Sequence, residues 1–126
     1  TRRRCEEINA VENAFLISIH QNYYPSSSPR GIQVLYSAHE ASRKWGEQLQ
    51  EQFSEVLCPD NRRAAIPVDP SIYIMNHVHC PAILVECGFL SNPEELEKLK
   101  SDSYDQKLAL VMLSAYLQYF QTGWNL

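Results

Sequence analysis

The chain has 126 residues, of which 44 % are hydrophobic and 21 % are charged, and its formal net charge is −4. This length and composition predict one globular domain with a core of its own. The weak negative charge argues against a nucleic-acid partner, because phosphate contacts require a basic face. No hydrophobic run approaches the ~20 residues that span a membrane, and no export signal is visible in the chain.

The first half of the chain predicts two strands between two helices. Residues 2–13 carry apolar residues at helical spacing, whereas 14–20 and 32–36 are apolar runs of strand length. Residues 21–31 are rich in Pro, Ser and Gly and predict a loop. An amphipathic helix is expected over 39–57. Its apolar face is formed by Trp45, Leu49, Phe53 and Val56.

The second half predicts two further strands and two helices. Residues 58–70 predict a loop, the alternating segment 71–77 predicts a strand, and 82–87 predicts a buried strand. Residues 92–95, Asn-Pro-Glu-Glu, indicate a helix start through an N-cap, a first-turn proline and acidic residues near the positive end of the dipole. A last helix is expected over 103–121. Its buried stripe is formed by Tyr104, Leu108, Val111, Met112, Ala115 and Tyr119.

The alternation of strands and helices predicts an α/β fold, with a mixed, twisted sheet flanked by helices on both faces. We expect the last helix to cover one face of the sheet and the helix over 39–57 to cover the other. Residues 1–126 are expected to form a single domain.

The cysteines show neither CxxC spacing nor a dense framework. We expect free, partly buried thiols at Cys5, Cys58, Cys80 and Cys87, because a free cysteine packs like a small hydrophobic residue. The spacing leaves a disulfide between Cys80 and Cys87 open.

Two polar residues, His20 and Glu86, each stand at the end of an apolar strand. Functional groups in open α/β sheets collect at the carboxyl ends of strands, so the two side chains are candidates for one crevice. An imidazole and a carboxylate together suit a catalytic zinc site, with the carboxylate as ligand or general base. A hydrogen-bonded structural histidine and an ion-paired glutamate are the alternatives that the spacing leaves open.

Other polar residues are candidates for weaker sites. His77 and His79 stand two positions apart and would share a face on a strand, where Cys80 could complete a small metal site. The four ligands of a structural zinc site are absent at the usual spacing. Arg62, in the predicted loop, is a candidate for holding an anionic or carbonyl group of a substrate, with a solvated surface arginine as the alternative.

Three stretches of the sequence carry a family resemblance: NAFLISIHQN, RGIQVLY and IYIMNHVHCPAILVECGFLSNPEE. They resemble the zinc-dependent N-acetylmuramoyl-L-alanine amidases of bacterial cell walls, and within that family the sporulation amidases that trim spore-cortex peptidoglycan. The resemblance covers nearly the whole chain, and VECGFLSNPEE is its most specific part.

The resemblance implies hydrolysis of the amide between N-acetylmuramic acid and L-alanine in peptidoglycan. It implies that His20, in the motif SIHQN, binds zinc, and that Asn22 of the same motif contacts the substrate. Glu86, in the VECGFLSN block, would be the catalytic carboxylate that takes a proton from a zinc-bound water. It also implies action outside the cytoplasmic membrane, in the cell wall or the spore cortex.

The sequence departs from the family pattern in one respect. Family members begin with a strand that ends in a DPGHGG-like motif, whose His binds zinc, and a Glu in the following helix is another ligand; neither is found in this sequence. We therefore expect the domain to lack its first strand and part of its first helix, and to hold one of three protein ligands. The chain alone is expected to be inactive, to bind zinc weakly and to self-associate through an exposed sheet edge.

The alternative from another functional class is a catalytically inactive cell-wall binding or regulatory module that keeps the amidase fold. Retention of His20 and Glu86 favours the enzyme, whereas the absence of the front strand favours the module. A zinc carboxypeptidase-like protein would need a further pair of His or Glu ligands that the sequence does not offer.

Overall fold

A four-stranded mixed sheet organises residues 1–119, the part of the chain that this computed structural model describes. Within that part, five helices flank the sheet and a π-helical turn extends the second of them. The elements in chain order are α1 (Arg2–Asn9), β1 (Leu16–Asn22), β2 (Gln33–Tyr36), α2 (Glu40–Gln52), the π-helical turn (Phe53–Leu57), β3 (Ile66–Pro67), α3 (Tyr73–His77), β4 (Ala82–Phe89), α4 (Pro93–Leu99) and α5 (Asp102–Gln118). The predicted α/β class and mixed sheet are confirmed.

Strand β4 lies in the interior of the sheet, whose strand order is β1-β4-β2-β3. It pairs in parallel with β1 and antiparallel with β2, and β2 pairs in parallel with β3. Ala82, Ile83, Leu84 and Val85 are all buried. A strand that is covered on both faces reads as a continuous apolar run, which explains why this segment was recognisable in the sequence.

Helices α2 and α5 pack on the same face of the sheet and against each other, so the prediction that they cover opposite faces is wrong. Alternate residues of β4, such as Ile83 and Val85, point to this face and join the cluster that contains Trp45 of α2 and Ala115 of α5. The opposite face carries a smaller cluster around Leu84. The short helix α3 covers that cluster, and α1 packs against α3.

The strand predicted over 71–77 is wrong, because the structure contains the short helix α3 there. Ile72, Met75 and Val78 are spaced three apart and all pack into the cluster around Leu84, which is helical spacing. The side chain of Asn76 also donates to the backbone oxygen of Ile72 at 2.7 Å, within one helical turn. A short apolar run satisfies the strand period and the helical period alike, and tertiary packing selects the helix.

Several boundaries differ from the predicted ones. Helix α1 ends at Asn9 rather than near residue 13, where Asn13 adopts a positive φ of 54°. The helix predicted over 39–57 becomes a π-helical turn after Gln52, and the wider winding of this turn leaves Val56 exposed instead of on the apolar face. Strand β3 lies inside the predicted loop over 58–70. The last two positions of the helix predicted over 103–121 lie outside the described residues.

The predicted start of α4 is confirmed. The side-chain oxygen of Asn92 accepts hydrogen bonds from the backbone N–H groups of Glu94 at 3.1 Å and Glu95 at 3.2 Å, and Pro93 occupies the first helical position. Asn92 also donates to the backbone oxygen of Ser27 at 3.1 Å. This cap therefore fixes both the helix start and the long loop after β1.

The cysteines are free thiols, as predicted, and the Cys80–Cys87 disulfide that the sequence left open is not formed. Cys5 and Cys87 are buried, and Cys58 and Cys80 are half-buried. No helix within residues 1–119 has the length and hydrophobicity required to cross a membrane.

Candidate active site

His20, Glu86 and Gln33 form a row of polar residues across three neighbouring strands. His20 of β1 is the register partner of Glu86 on β4, and Gln33 of β2 is its partner on the other side. The parallel pairing brings the carboxyl ends of β1 and β4 to the same edge of the sheet, while antiparallel β2 begins there. The prediction that His20 and Glu86 meet in one crevice therefore has a structural basis in the register.

The side chains of this row point away from the main core. Residues of β4 alternate between faces, so Glu86 shares the face of Leu84 and lies opposite Val85 and Cys87. His20 is exposed, and its Nε2 lies 2.8 Å from the hydroxyl of Ser18, two residues earlier on the same face. Glu86 is half-buried, so it occupies the inner wall of an accessible site.

The carboxylate of Glu86 has an unsatisfied oxygen. Its Oε2 is buried and has no hydrogen-bond partner within the described part of the chain. Burial raises the pKa of the Glu86 carboxyl above its ordinary value, while the nearby charges of His20 and Arg63 act in the opposite direction. A partly desolvated carboxylate with a free acceptor is suited to receiving a proton from water.

Arg63 and Gln33 belong to this site although sequence reasoning did not select them. Arg63 Nη2 donates to Gln33 Oε1 at 2.6 Å, and its guanidinium lies over the ring of Phe89 at 5.2 Å. Gln33 in turn donates to the backbone oxygen of Ala64 at 2.9 Å. The two arginines 62 and 63 are adjacent in a loop, so spacing alone gave no reason to prefer Arg63. A polar first residue on an otherwise apolar strand was the available signal for Gln33.

The predicted substrate-binding residues, Asn22 and Arg62, lie outside this row. Asn22 follows His20 after an irregularity in the β1–β4 ladder, and its Oδ1 accepts from the N–H of Tyr23 at 2.9 Å. Arg62 is exposed, donates to the backbone oxygen of Pro59 at 3.3 Å, and lines a neighbouring cavity. Their role in substrate binding stays a prediction.

The described residues do not by themselves make a complete metal site. Among residues 1–119 there is no group of three or more His, Cys, Asp or Glu side chains placed to hold a metal ion. The free Oε2 of Glu86 beside His20 fits one side of such a site. A catalytic zinc requires three protein ligands, so these two residues do not complete the set.

The alternative metal site at His77, His79 and Cys80 is not supported by the structure. It required these residues to lie on a strand, whereas His77 ends helix α3. The His77 ring stacks on Tyr73 at 3.9 Å, and its Nδ1 lies 2.8 Å from the backbone oxygen of Tyr73. These three residues are also not part of any metal-binding group found in the described ranges.

The half-buried carboxylate of Glu86 predicts a stability gain for Glu86→Gln in the 126-residue chain, measured in the presence of a chelator. A raised folded pKa means that protonation stabilises the fold at low pH and that this contribution is lost as the pH rises through the folded pKa. The Glu86→Gln variant should therefore melt about 1–3 °C higher at pH 7, a small gain because Glu86 is only half-buried. The difference should shrink toward pH 4.

Thermal unfolding followed by circular dichroism between pH 4 and pH 8 measures this difference. Glu97→Gln is the matched control, because the Glu97 side chain is 74 % exposed and its substitution removes no buried carboxylate. A Glu86→Gln variant that melts below the wild type at pH 7 would contradict the stated cause of the pKa shift.

Comparison with known sequences places this geometry in context. The sequence profile of the N-acetylmuramoyl-L-alanine amidases matches residues 1–116. The germination-specific N-acetylmuramoyl-L-alanine amidase of Bacillus subtilis (strain 168) is 35 % identical over 120 residues, which cover 94 % of this chain and 50 % of that protein. The amidase LytC of the same organism is 28 % identical over 122 residues, covering 92 % of this chain and 24 % of that protein.

Solved structures share the fold. The CwlD amidase of Clostridioides difficile, determined in complex with the GerS lipoprotein, has a TM-score of 0.89 at 30 % identity, covering 95 % of this chain and 61 % of that one. AmiC2 of Nostoc punctiforme has a TM-score of 0.84 at 23 % identity, covering 96 % of this chain and 66 % of that one. The chain thus spans about half the length of the germination-specific relative and less than two thirds of these structures.

Proposed function

Because this chain belongs to the family of N-acetylmuramoyl-L-alanine amidases, we propose that it carries the catalytic carboxylate of a peptidoglycan amidase. The bond cleaved is the amide between the lactyl group of N-acetylmuramic acid and L-alanine of the stem peptide. The observation that carries this proposal is the register pairing of His20 with a half-buried Glu86 whose Oε2 has no hydrogen-bond partner among residues 1–119.

Glu86 acts as the general base in this proposal. Its free oxygen accepts a proton from the attacking water, and the protonated carboxyl then returns the proton to the amine of the leaving L-alanine. The raised pKa of Glu86 strengthens the carboxylate as an acceptor of the water proton, while the charges of His20 and Arg63 favour the ionised form that acts as the base. Water hydrolyses the amide to a muramic-acid carboxylate and a free peptide amine.

His20 is proposed as the metal ligand that this chain contributes. Its exposed imidazole lies in the same row as Glu86, and Ser18 bonds to its Nε2, so binding a metal through this nitrogen would require the hydroxyl to release it. Zinc, when bound by a complete ligand set, supplies Lewis-acid activation of water and of the scissile carbonyl. The remaining ligands would come from residues other than those described here.

The proposed setting is the bacterial cell wall, outside the cytoplasmic membrane, and more narrowly the spore cortex. The support for the narrower role is the relative from Bacillus subtilis, whose name ties it to germination. Asn22 and Arg62 are proposed to contact the muramoyl-peptide substrate.

The proposed function is tested on the full-length protein, meaning this chain together with any residues that precede or follow it in the gene product. It is incubated with a purified muramoyl-peptide, and the products are identified by mass spectrometry. We expect release of a peptide with a free N-terminal L-alanine in a zinc-dependent manner. The incomplete ligand set among residues 1–119 is the observation that favours the other candidate, an inactive cell-wall binding module. Tight binding to peptidoglycan without any release of peptide would support the module and contradict the amidase.

We further propose that copies of the 126-residue chain associate through the open edge of β1. This strand has a strand partner on one side only in the part of the chain described, and unpaired edges invite pairing with another chain. Ile19 on β1 is 60 % exposed, and Leu113 on α5 is 52 % exposed; both line an apolar groove of about 480 Å³. Size-exclusion chromatography with light scattering should show dimers or larger species, and a strictly monomeric chain would contradict this proposal.

A further inference from the structure

A cavity of about 330 Å³ opens at the carboxyl end of β4, the same end of the sheet as the candidate site. Its volume lies in the range of small-ligand pockets. Its cationic lining residues are Arg30, Arg62, Arg63 and Lys98. The whole chain has 11 Lys and Arg residues and a net charge of −4, so this cavity concentrates positive charge against the overall balance.

The four cationic side chains outnumber the acidic ones that line the cavity. Asp60 and Glu95 are its acidic lining residues. Glu95 is only 7 % exposed, and its Oε1 accepts hydrogen bonds from the backbone N–H groups of Gly31 at 2.9 Å and Phe89 at 3.0 Å. Backbone donors thus satisfy this carboxylate, and it serves to hold the wall of the cavity in place.

Three of the cations form no ion pair within residues 1–119. Arg30 is paired with Glu94 at 3.4 Å on the surface, but Arg62, Arg63 and Lys98 take part in no such pair in that range. The Nε of Arg63 is also buried without a hydrogen-bond partner in the described part of the chain. Unpaired guanidinium and ammonium groups around one cavity favour an anionic ligand.

Gly31 lies in the wall of the cavity, close to the side chains of Asn61 and Arg63. This residue has a φ of +114°, and a Cβ there would lie 2.6 Å from Asn61 Oδ1 and 2.9 Å from Arg63 Cδ. Only glycine fits so close an approach in this backbone region. The side chain of Asn61 also donates to the backbone oxygen of Ile32 at 2.9 Å, which ties the loop of the arginines to the start of β2.

Arg63 connects the cavity to the candidate site, because it lines the cavity, bonds to Gln33 and acts on the charge of Glu86. Gly31 on the cavity wall stands two residues before Gln33, the register partner of Glu86. Two extended residues span about 7 Å. A substrate peptide whose first amide lies at Glu86 and that runs along β2 toward Gly31 would therefore reach the mouth of the cavity with its next residues.

We propose that this cavity is a subsite for a carboxylate of the stem peptide, on the leaving side of the scissile amide. The inference rests on the proposed amidase function for the position of the peptide. A stem peptide whose last carboxyl is not joined in an amide ends in a carboxylate, and a planar carboxylate matches the fork of an arginine guanidinium. The cavity selects acidic peptides over neutral ones, so it sets specificity on the peptide side of the bond.

Binding of N-acetyl-L-alanyl-D-glutamate to the 126-residue chain tests the subsite without requiring catalysis. The titration is followed by NMR in the presence of a chelator, beside the same dipeptide amidated on both carboxyls. We expect the amidated dipeptide to bind about 10-fold or more weakly, as the loss of charge-assisted hydrogen bonds predicts. Arg62→Gln and Lys98→Gln should each weaken binding of the free acid, whereas Lys100→Gln on the nearby surface should not.

Equal binding of the free and amidated dipeptides, or no binding of either, would overturn the subsite. Tighter binding of inorganic phosphate than of the free dipeptide would overturn the assignment to a carboxylate. Failure of the proposed function has a different outcome, because an absence of amide hydrolysis by the full-length protein leaves the dipeptide titration unchanged.

Discussion

Substitution of Glu86 by Gln in the full-length protein is expected to lower kcat for muramoyl-peptide hydrolysis by about 10²–10⁴-fold, the range typical of losing a general base. Gln has nearly the same shape as Glu but does not accept the proton of the attacking water. The residue lies between His20 and Gln33 in the register of the sheet, so its removal as a base leaves the surrounding strands in place.

The measurement is a steady-state assay of newly formed peptide amine, together with metal analysis of both proteins. KM and zinc content should change little, because the substitution affects the chemical step. Glu97→Gln is again the matched control, since Glu97 lies on the exposed side of α4 and pairs with Lys100 at 3.4 Å. A Glu86→Gln variant that turns over substrate at the wild-type rate would remove Glu86 from the mechanism.

Substitution of His20 by Ala in the full-length protein is expected to lower zinc affinity and activity together. Loss of a direct metal ligand should exceed the ~10–100-fold effect on affinity that is typical of losing an outer-shell partner. The exposed position of His20, on a strand at the edge of the described sheet, means that its removal creates no core cavity, so the fold should remain intact.

Competition with a chromogenic chelator measures the zinc affinity of this variant, and circular dichroism verifies its fold. His79→Ala is the matched control, because His79 is an exposed histidine in the loop before β4 and lies outside the row of His20 and Glu86. Undiminished zinc affinity in the His20→Ala variant would show that His20 is not a zinc ligand and would favour a structural role for it.

The features that the sequence predicted well are those with a local signal. The buried strand around Ile83 has a continuous apolar run, and the start of α4 has a capping Asn92 followed by Pro93. Each of these signals lies within a few consecutive residues, and the tertiary structure is consistent with both. His20 and Glu86 were recognisable as polar residues that interrupt apolar runs, although their strands continue past them to Asn22 and Phe89. The catalytic and metal-binding roles of the two residues stay predictions.

The features that the sequence did not predict depend on contacts between distant residues. Whether Met75 lies on a strand or a helix was decided by the cluster around Leu84, because so short a segment carries too weak a period. The location of α2 and α5 on the same face depends on their packing against each other and against β4, which no single segment indicates. Arg63 became part of the site through the loop that brings it to Gln33, and neither position is marked by spacing.

Hydrolysis of a purified muramoyl-peptide by the full-length protein, supplied with zinc, in H₂¹⁸O tests the central claim most directly. The account predicts that mass spectrometry finds one ¹⁸O atom in the lactyl carboxylate of the muramic-acid product and none in the released peptide, which begins with a free L-alanine. It also predicts that this labelled product is lost in the Glu86→Gln variant. Label in a peptide carboxylate, or cleavage at any other bond, would contradict the account.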